Sequence, residues 1–171
     1  SMVLTLPSTN PRRIGASASA SPAISAAPAN CCAKRPCGVG ACIALGEKNH
    51  PGYFERIPLP NLTWEKRQCH AVRIGKGGGK RRFAVCFIGG VHGREWGSPD
   101  ILVYFAMRLL RAYRDRKSVR LGGKSFTAAQ IRQVVEEMDV VLFPQVNPDG
   151  RHFSMDRHPM WRKNGRPAPR G

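Results

Sequence analysis

The sequence predicts an α/β protein with a mixed parallel/antiparallel sheet and flanking helices. Three observations carry that reading. Phe83-Ala84-Val85-Cys86-Phe87-Ile88 is an unbroken apolar run of strand length, Val140-Val141-Leu142-Phe143 is another, and two stretches with apolar residues at helical spacing lie between them. A strand, two helices and a strand make a crossover, which returns the second strand parallel to the first. Ahead of the first run, His70-Ala71-Val72-Arg73-Ile74 alternates as a strand does, and the glycine-rich link from Gly75 to Lys80 allows a hairpin into Arg82 to Ile88, so this pair is expected to be antiparallel.

Residues 1–46 are rich in Ala, Ser and Pro, carry Arg12, Arg13, Lys34 and Arg35, and have no acid before Glu47. This composition reads as a disordered or leader-like low-complexity segment. After Arg13 there is no continuous apolar centre of the kind a secretory signal needs, and the composition also fits a transit peptide or a poorly defined start. Residues 47–62, with Pro58 and Pro60, read as an extended lead-in, and folding is expected to begin near Thr63, giving a folded unit over 63–171.

The run Phe83 to Ile88 has the composition of a strand buried on both faces, and Gly89-Gly90 lets the chain turn sharply as it leaves the sheet. Ser98-Pro99-Asp100 then supplies an N-cap, a proline at the first helical position and a carboxylate suited to the helix dipole. Ile101, Leu102, Phe105, Ala106, Leu109, Leu110 and Tyr113 form the apolar stripe of that helix. A basic connection from Arg111 to Lys124, containing Gly122-Gly123, leads to Thr127-Ala128-Ala129-Gln130, a capping box for a second helix with Ile131, Val134, Val135 and Met138 on one face. After the second apolar strand, Asn147-Pro148-Asp149-Gly150 has the residues of a type I turn. The glycine link at 75–80 is not a phosphate loop, because it joins strands and lacks the G-x-x-x-x-G-K-[ST] order.

The chain of 171 residues carries 28 Lys and Arg against 11 Asp and Glu, a formal charge of +17. That balance favours nonspecific polyanion binding. The basic residues fall in three separate stretches, and no recognition helix or finger motif accompanies them, so sequence-specific nucleic-acid readout is not indicated. No run approaches membrane-spanning length. Cys31, Cys32, Cys37 and Cys42 crowd into a dozen residues but lack the paired spacing of a zinc knuckle, and Cys69 and Cys86 fall in strands.

The chemistry gathers at strand ends. His92 and Glu95 follow the first apolar strand within a few residues, and an imidazole and a carboxylate are both suitable zinc ligands. Alone, the pair reads as a loop histidine and a solvated glutamate, since two residue types at one spacing recur by chance. Parallel strands place Asn147 to Gly150 on the same sheet edge, and Arg162, in Trp161-Arg162-Lys163-Asn164, follows in a basic, irregular segment.

These three motifs, in this order and spacing, resemble the zinc carboxypeptidases of the carboxypeptidase A/B type, and the similarity extends from about Thr63 to Pro167. The resemblance implies a zinc-dependent hydrolase that removes C-terminal residues from peptides or proteins. It makes His92 and Glu95 two of the three protein ligands to one Zn2+ ion. It gives Arg162 the role of polarising the scissile carbonyl and stabilising the oxyanion, and it places Arg94 in the substrate subsites, where a plain surface arginine is the other reading. Trp96 and Trp161 read as packing groups, and His152 and His158 as solvated loop residues.

The family places its third zinc ligand, a histidine, together with an Asn-Arg pair that grips the substrate carboxylate, a tyrosine and the general-base glutamate, downstream of the Trp-Arg-Lys motif. The sequence ends at Gly171 before any of them. The expectation is therefore the N-terminal part of the catalytic domain, an incomplete zinc-carboxypeptidase fold with little or no activity as written. The resemblance favours an extracellular location. A noncatalytic polyanion-binding or interaction protein that retains part of the fold is the alternative.

Overall fold

The structure, a computed structural model, describes residues 38–77 and 82–166. Helix α1 (Val39–Asn49) leads into strands β1 (Phe54–Leu62), β2 (Gln68–Ile74) and β3 (Phe83–Ile88), then helix α2 (Gly97–Asp115). Strands β4 (Val119–Leu121) and β5 (Lys124–Phe126), helix α3 (Ala128–Glu137), strand β6 (Met138–Phe143) and helix α4 (Pro148–Asp156) complete the order. The main sheet runs β1-β2-β6-β3. β1 with β2 and β2 with β6 are antiparallel, whereas β3 and β6 are parallel, so the mixed sheet and the crossover are as the sequence indicates.

One sheet face carries the core. Val72 lies opposite Leu142 and Ile74 opposite Val140, which puts all four on the same side, and each is almost completely buried. Leu109 and Leu110 of α2, Ile131 and Val135 of α3, and Ile43 of α1 close over them. The capping box at Thr127 is formed as expected, with Gln130 N–H donating to the Thr127 hydroxyl at 3.2 Å and Thr127 N–H donating to the Gln130 side chain at 2.9 Å. At the other end of α3 the Arg82 guanidinium donates to the carbonyls of Glu136 and Met138, occupying helix-end acceptors that have no intrahelical donor.

Several expectations change. The folded part starts well before Thr63: α1 and β1 precede it, and Cys42, Ile43 and Gly46 bury one face of α1 within the stretch read as low-complexity. Pro58 and Pro60 sit in β1, which tolerates them because it is the sheet's edge and its register shifts between Pro58 and Leu62. β2 and β3 run in opposite directions but do not form a hairpin, because β6 lies between them and bonds to both. The connection between them is partly outside the described residues.

β3 is not buried on both faces. All six of its residues are exposed, Phe83 at 85 %, since β6 pairs with only one of its edges and no described strand lies on the other. Phe87 meets the Phe105 ring of α2 edge-on and is still 42 % exposed. In α2 the buried stripe runs through Val103, Ala106, Leu109 and Leu110, leaving Ile101 at 66 % exposure, and Met138 opens β6 rather than closing α3. The basic connection after α2 contains the β4–β5 hairpin. Cys31, Cys32 and Cys37 lie outside the described residues, as does most of the leader-like segment.

Candidate functional site

β3 and β6 end side by side, and their chains stay joined beyond the sheet. Gly89 N–H donates to Phe143 O at 3.0 Å, Val146 N–H to Gly89 O at 3.0 Å, and Asn147 N–H to Gly90 O at 2.9 Å. Gly90, at φ 60°, then turns the chain away. Its N–H donates to the Ser98 hydroxyl at 2.8 Å, and that hydroxyl donates to Glu95 O at 3.2 Å. Ser98 therefore does not cap α2, which begins at Gly97; it braces the loop that carries His92 and Glu95.

Within that loop Glu95 N–H donates to His92 O at 3.0 Å, closing a turn that brings the two side chains together. His92 Nδ1 lies 2.6 Å from Glu95 Oε1, and both side chains are partly open to solvent. The hydrogen bond from His92 holds the Glu95 carboxyl below its ordinary pKa, and the Arg162 charge adds to the effect.

The second strand end is a helix start rather than a free turn. Asn147 is the N-cap of α4, accepting from Gly150 N–H at 2.8 Å, and Pro148 occupies the first helical position. The same side chain donates to Lys163 O at 3.2 Å, which ties the Trp161 to Lys163 segment to the helix. Gly93 N–H donates to Arg162 O at 3.1 Å. The three segments meet at two glycines: a Cβ on Gly93 would collide with the carbonyl of Gly150, and one on Gly150 would collide with the carbonyl of Lys163. Side-chain-free positions are what allow these backbones to approach.

Some contributors were not evident from the sequence. Asp149, nearly fully buried, accepts from the Thr63 hydroxyl at 2.8 Å, Glu65 N–H at 3.0 Å and Arg67 Nη1 at 2.7 Å. Burial works against its charge, but these donors outweigh burial and leave its pKa lowered. Arg151, also buried, donates to Trp96 O and lies 3.5 Å from Asp100, while Trp96 Nε1 donates to Ser154 Oγ at 2.9 Å. Proximity to the Asn-Pro-Asp-Gly motif was the only sequence signal for Asp149 and Arg151. Trp161 packs on Phe153 at 4.7 Å between ring centroids, in keeping with a packing role.

The structure thus brings His92, Glu95 and the Arg162 backbone together. The Arg162 side chain is exposed and acts on Glu95 through its charge. Arg94 is exposed and makes no hydrogen bond or ion pair with the described residues. His152 and His158 are exposed on and after α4, and among the described residues no group of three His, Cys, Asp or Glu side chains is placed to hold a metal.

A family profile described as Zinc carboxypeptidase matches residues 47–171. The chain belongs to the zinc carboxypeptidase family. Among curated relatives, it is 35 % identical over 106 residues to metallocarboxypeptidase A of Trichophyton tonsurans, covering 61 % of this chain and 22 % of the relative. It is 29 % identical over 113 residues to carboxypeptidase A4 of Mus musculus, covering 66 % and 24 %. It is also 31 % identical to a protein of Talaromyces stipitatus named inactive metallocarboxypeptidase ecm14. This zinc carboxypeptidase chain therefore spans about a quarter or less of the length of those relatives. Its fold superposes on carboxypeptidase A of Helicoverpa armigera with a TM-score of 0.61 at 19 % identity, covering 78 % of this chain and 29 % of the other. Bovine thrombin-activatable fibrinolysis inhibitor, solved with a tick carboxypeptidase inhibitor, gives 0.59 at 22 %, covering 77 % and 36 %.

Proposed function

We propose that this chain carries the first part of the active site of a zinc-dependent carboxypeptidase, which removes C-terminal residues from peptides or proteins outside the cell. The observation that carries this reading is the convergence of His92 Nδ1 and Glu95 Oε1 at a strand exit, joined through Gly93 to the Arg162 segment. The donors fit zinc in type, since an imidazole and a carboxylate are both common ligands, and the proton they share is in competition with a cation for the same two atoms. They do not complete a site, because a catalytic zinc keeps three protein ligands and one open position.

A zinc ion held by His92 and Glu95 would supply Lewis-acid chemistry for hydrolysis of the terminal peptide bond. The residues of this chain provide the surroundings. Arg162 presents a permanent cation to the charge that develops on the carbonyl oxygen, and its backbone bond to Gly93 fixes the segment from which it reaches. Arg94, one residue beyond Gly93 and exposed, is assigned to contacts with the substrate chain. With two metal donors and no base beside them, the described residues bind zinc weakly and hydrolyse slowly.

The test is zinc affinity, measured by competition with a chromophoric chelator. His92→Ala and Glu95→Ala each lower it by at least about tenfold, the loss that even an outer-shell partner of a metal ligand causes. Affinity unchanged in both variants removes the zinc reading. Hydrolysis, read as release of the terminal residue from a blocked dipeptide, falls about 10²-fold to 10³-fold in Arg162→Ala, as for loss of an oxyanion donor.

A noncatalytic reading is favoured by the two-donor site and the charge of +17. It requires binding to heparin or nucleic acid that falls steeply with salt and survives His92→Ala. Binding that is absent or insensitive to salt eliminates it.

A further inference from the structure

A cavity of about 820 Å³ opens at the C-terminal end of α2, between the loop after α1 and the start of α3. It is remote from the site above, since α2 has 19 residues, about 28 Å of helix, and the His92 loop lies at the opposite end. We propose that this cavity is a binding site for a small organic anion, one phosphate, sulfate or carboxylate group carried on a flat ring.

Charge is the first argument. Arg114, Arg116 and Arg132 line the cavity against a single acid, Glu136, which already accepts from the Tyr113 hydroxyl at 3.0 Å. Arg114 is paired with Asp115, but the Arg116 and Arg132 side chains have no acidic partner among the described residues. Three arginines along one concavity, all exposed and two of them without an acidic partner, are a setting for an oxyanion.

The start of α3 adds to it. Ala128 and Ala129, its first two residues, line the cavity, and its first turn carries no acidic side chain. The capping box satisfies Gln130 N–H and leaves the preceding amides open at the positive end of the helix. The opposing end of α2 is partly masked, since Arg116 N–H and Lys117 N–H donate to the Tyr113 and Ala112 carbonyls.

His50 supplies the independent observation. It is 8 % exposed, lines the cavity, and its imidazole makes no hydrogen bond with the described residues. Its ring nitrogens are not among the buried polar atoms left without a partner, so they reach the space of the cavity, where a ligand can meet them. Burial and the Arg114 charge lower its pKa, so near neutral pH it offers an N–H without adding charge. Tyr53 and Tyr113, with ring centroids 5.0 Å apart, form the wall on which a ring packs. The volume is that of ordinary small-molecule sites.

The experiment titrates phenyl phosphate into the 171-residue chain at physiological salt, read by amide shifts in a nitrogen-15 spectrum, whose dispersion also reports that the chain is folded. Saturable shifts centred on Ala128, Ala129 and His50 are expected. Arg116→Ala with Arg132→Ala weakens binding about tenfold or more, and Arg157→Ala, which removes a charge on the far surface, changes it less than about twofold. Inorganic phosphate, without a ring, binds the same amides about tenfold more weakly. Shifts scattered over the basic surface without saturation overturn the site, as does equal weakening by Arg157→Ala. Equal affinity for the two phosphates overturns the role of the tyrosines.

Discussion

Gly93→Ala is the sharpest perturbation of the site, because it adds one methyl group where three chain segments touch. The new Cβ would lie 2.6 Å from Gly150 C and 3.0 Å from Trp161 O, and nearer still to Gly150 O. These are backbone atoms, which cannot swing aside as a side chain does. The segments must part by roughly 1 Å to reach ordinary carbon contact. Gly93 has no unusual backbone angle, so the cost is steric alone. Overpacking of this kind costs about 1–3 kcal/mol. Moving Gly93 also stretches its 3.1 Å bond to Arg162 O beyond useful geometry, which adds about 1 kcal/mol. The expected loss is about 2–4 kcal/mol in urea unfolding at pH 7, together with weaker zinc binding as His92 moves. Gly97→Ala is the control: nothing lies within 4 Å of its Cβ position, and the change is neutral or slightly stabilising. Equal urea midpoints for the two variants would refute the interlocking of these segments.

Asp149→Asn destabilises by about 1.5–3 kcal/mol at pH 7, as a buried carboxylate with charge-assisted partners is replaced. Because the folded-state pKa of Asp149 is lowered, its contribution is present above the unfolded pKa and is lost as pH falls through the folded value. The difference between wild type and variant should therefore shrink below about pH 4, and a constant difference down to pH 2 would contradict the network. Phe83→Lys, at a residue 85 % exposed on the open edge of β3, changes stability by less than about 0.5 kcal/mol but reduces self-association in sedimentation velocity. Identical sedimentation at matched concentration would show that this edge does not mediate association. His92→Ala and Glu95→Ala lower zinc affinity, and Arg162→Ala lowers the rate of terminal-residue release, as set out above.

The sequence by itself determined much about this protein through features that act locally. The apolar runs of β3 and β6 and the capping box at Thr127 depend on neighbours within a few residues and are present, and α2 forms where its apolar stripe indicates, with Val103 rather than Ile101 on its buried face. The parallel crossover follows from chain connectivity, and it was enough to put His92, Glu95 and Asn147 at one end of the sheet. The motif order identified the family for the same reason, since it needs no knowledge of packing.

Only the tertiary structure decided which strands are neighbours. β6 entered between β2 and β3, which no local pattern specifies, because strand pairing is a choice among distant segments with similar apolar character. The same contest explains α1, whose weak Ala- and Gly-rich pattern gains its burial from Phe54 and the sheet, and β3, whose composition suits an interior strand while one edge and much of its surface stay open. At the site, sequence named His92 and Glu95, but the bracing hydroxyl of Ser98, the buried Asp149 and the meeting of Gly93 with Gly150 and Arg162 exist only after folding. Their partners are far away in the chain, and distances between backbones are set by packing rather than by residue order.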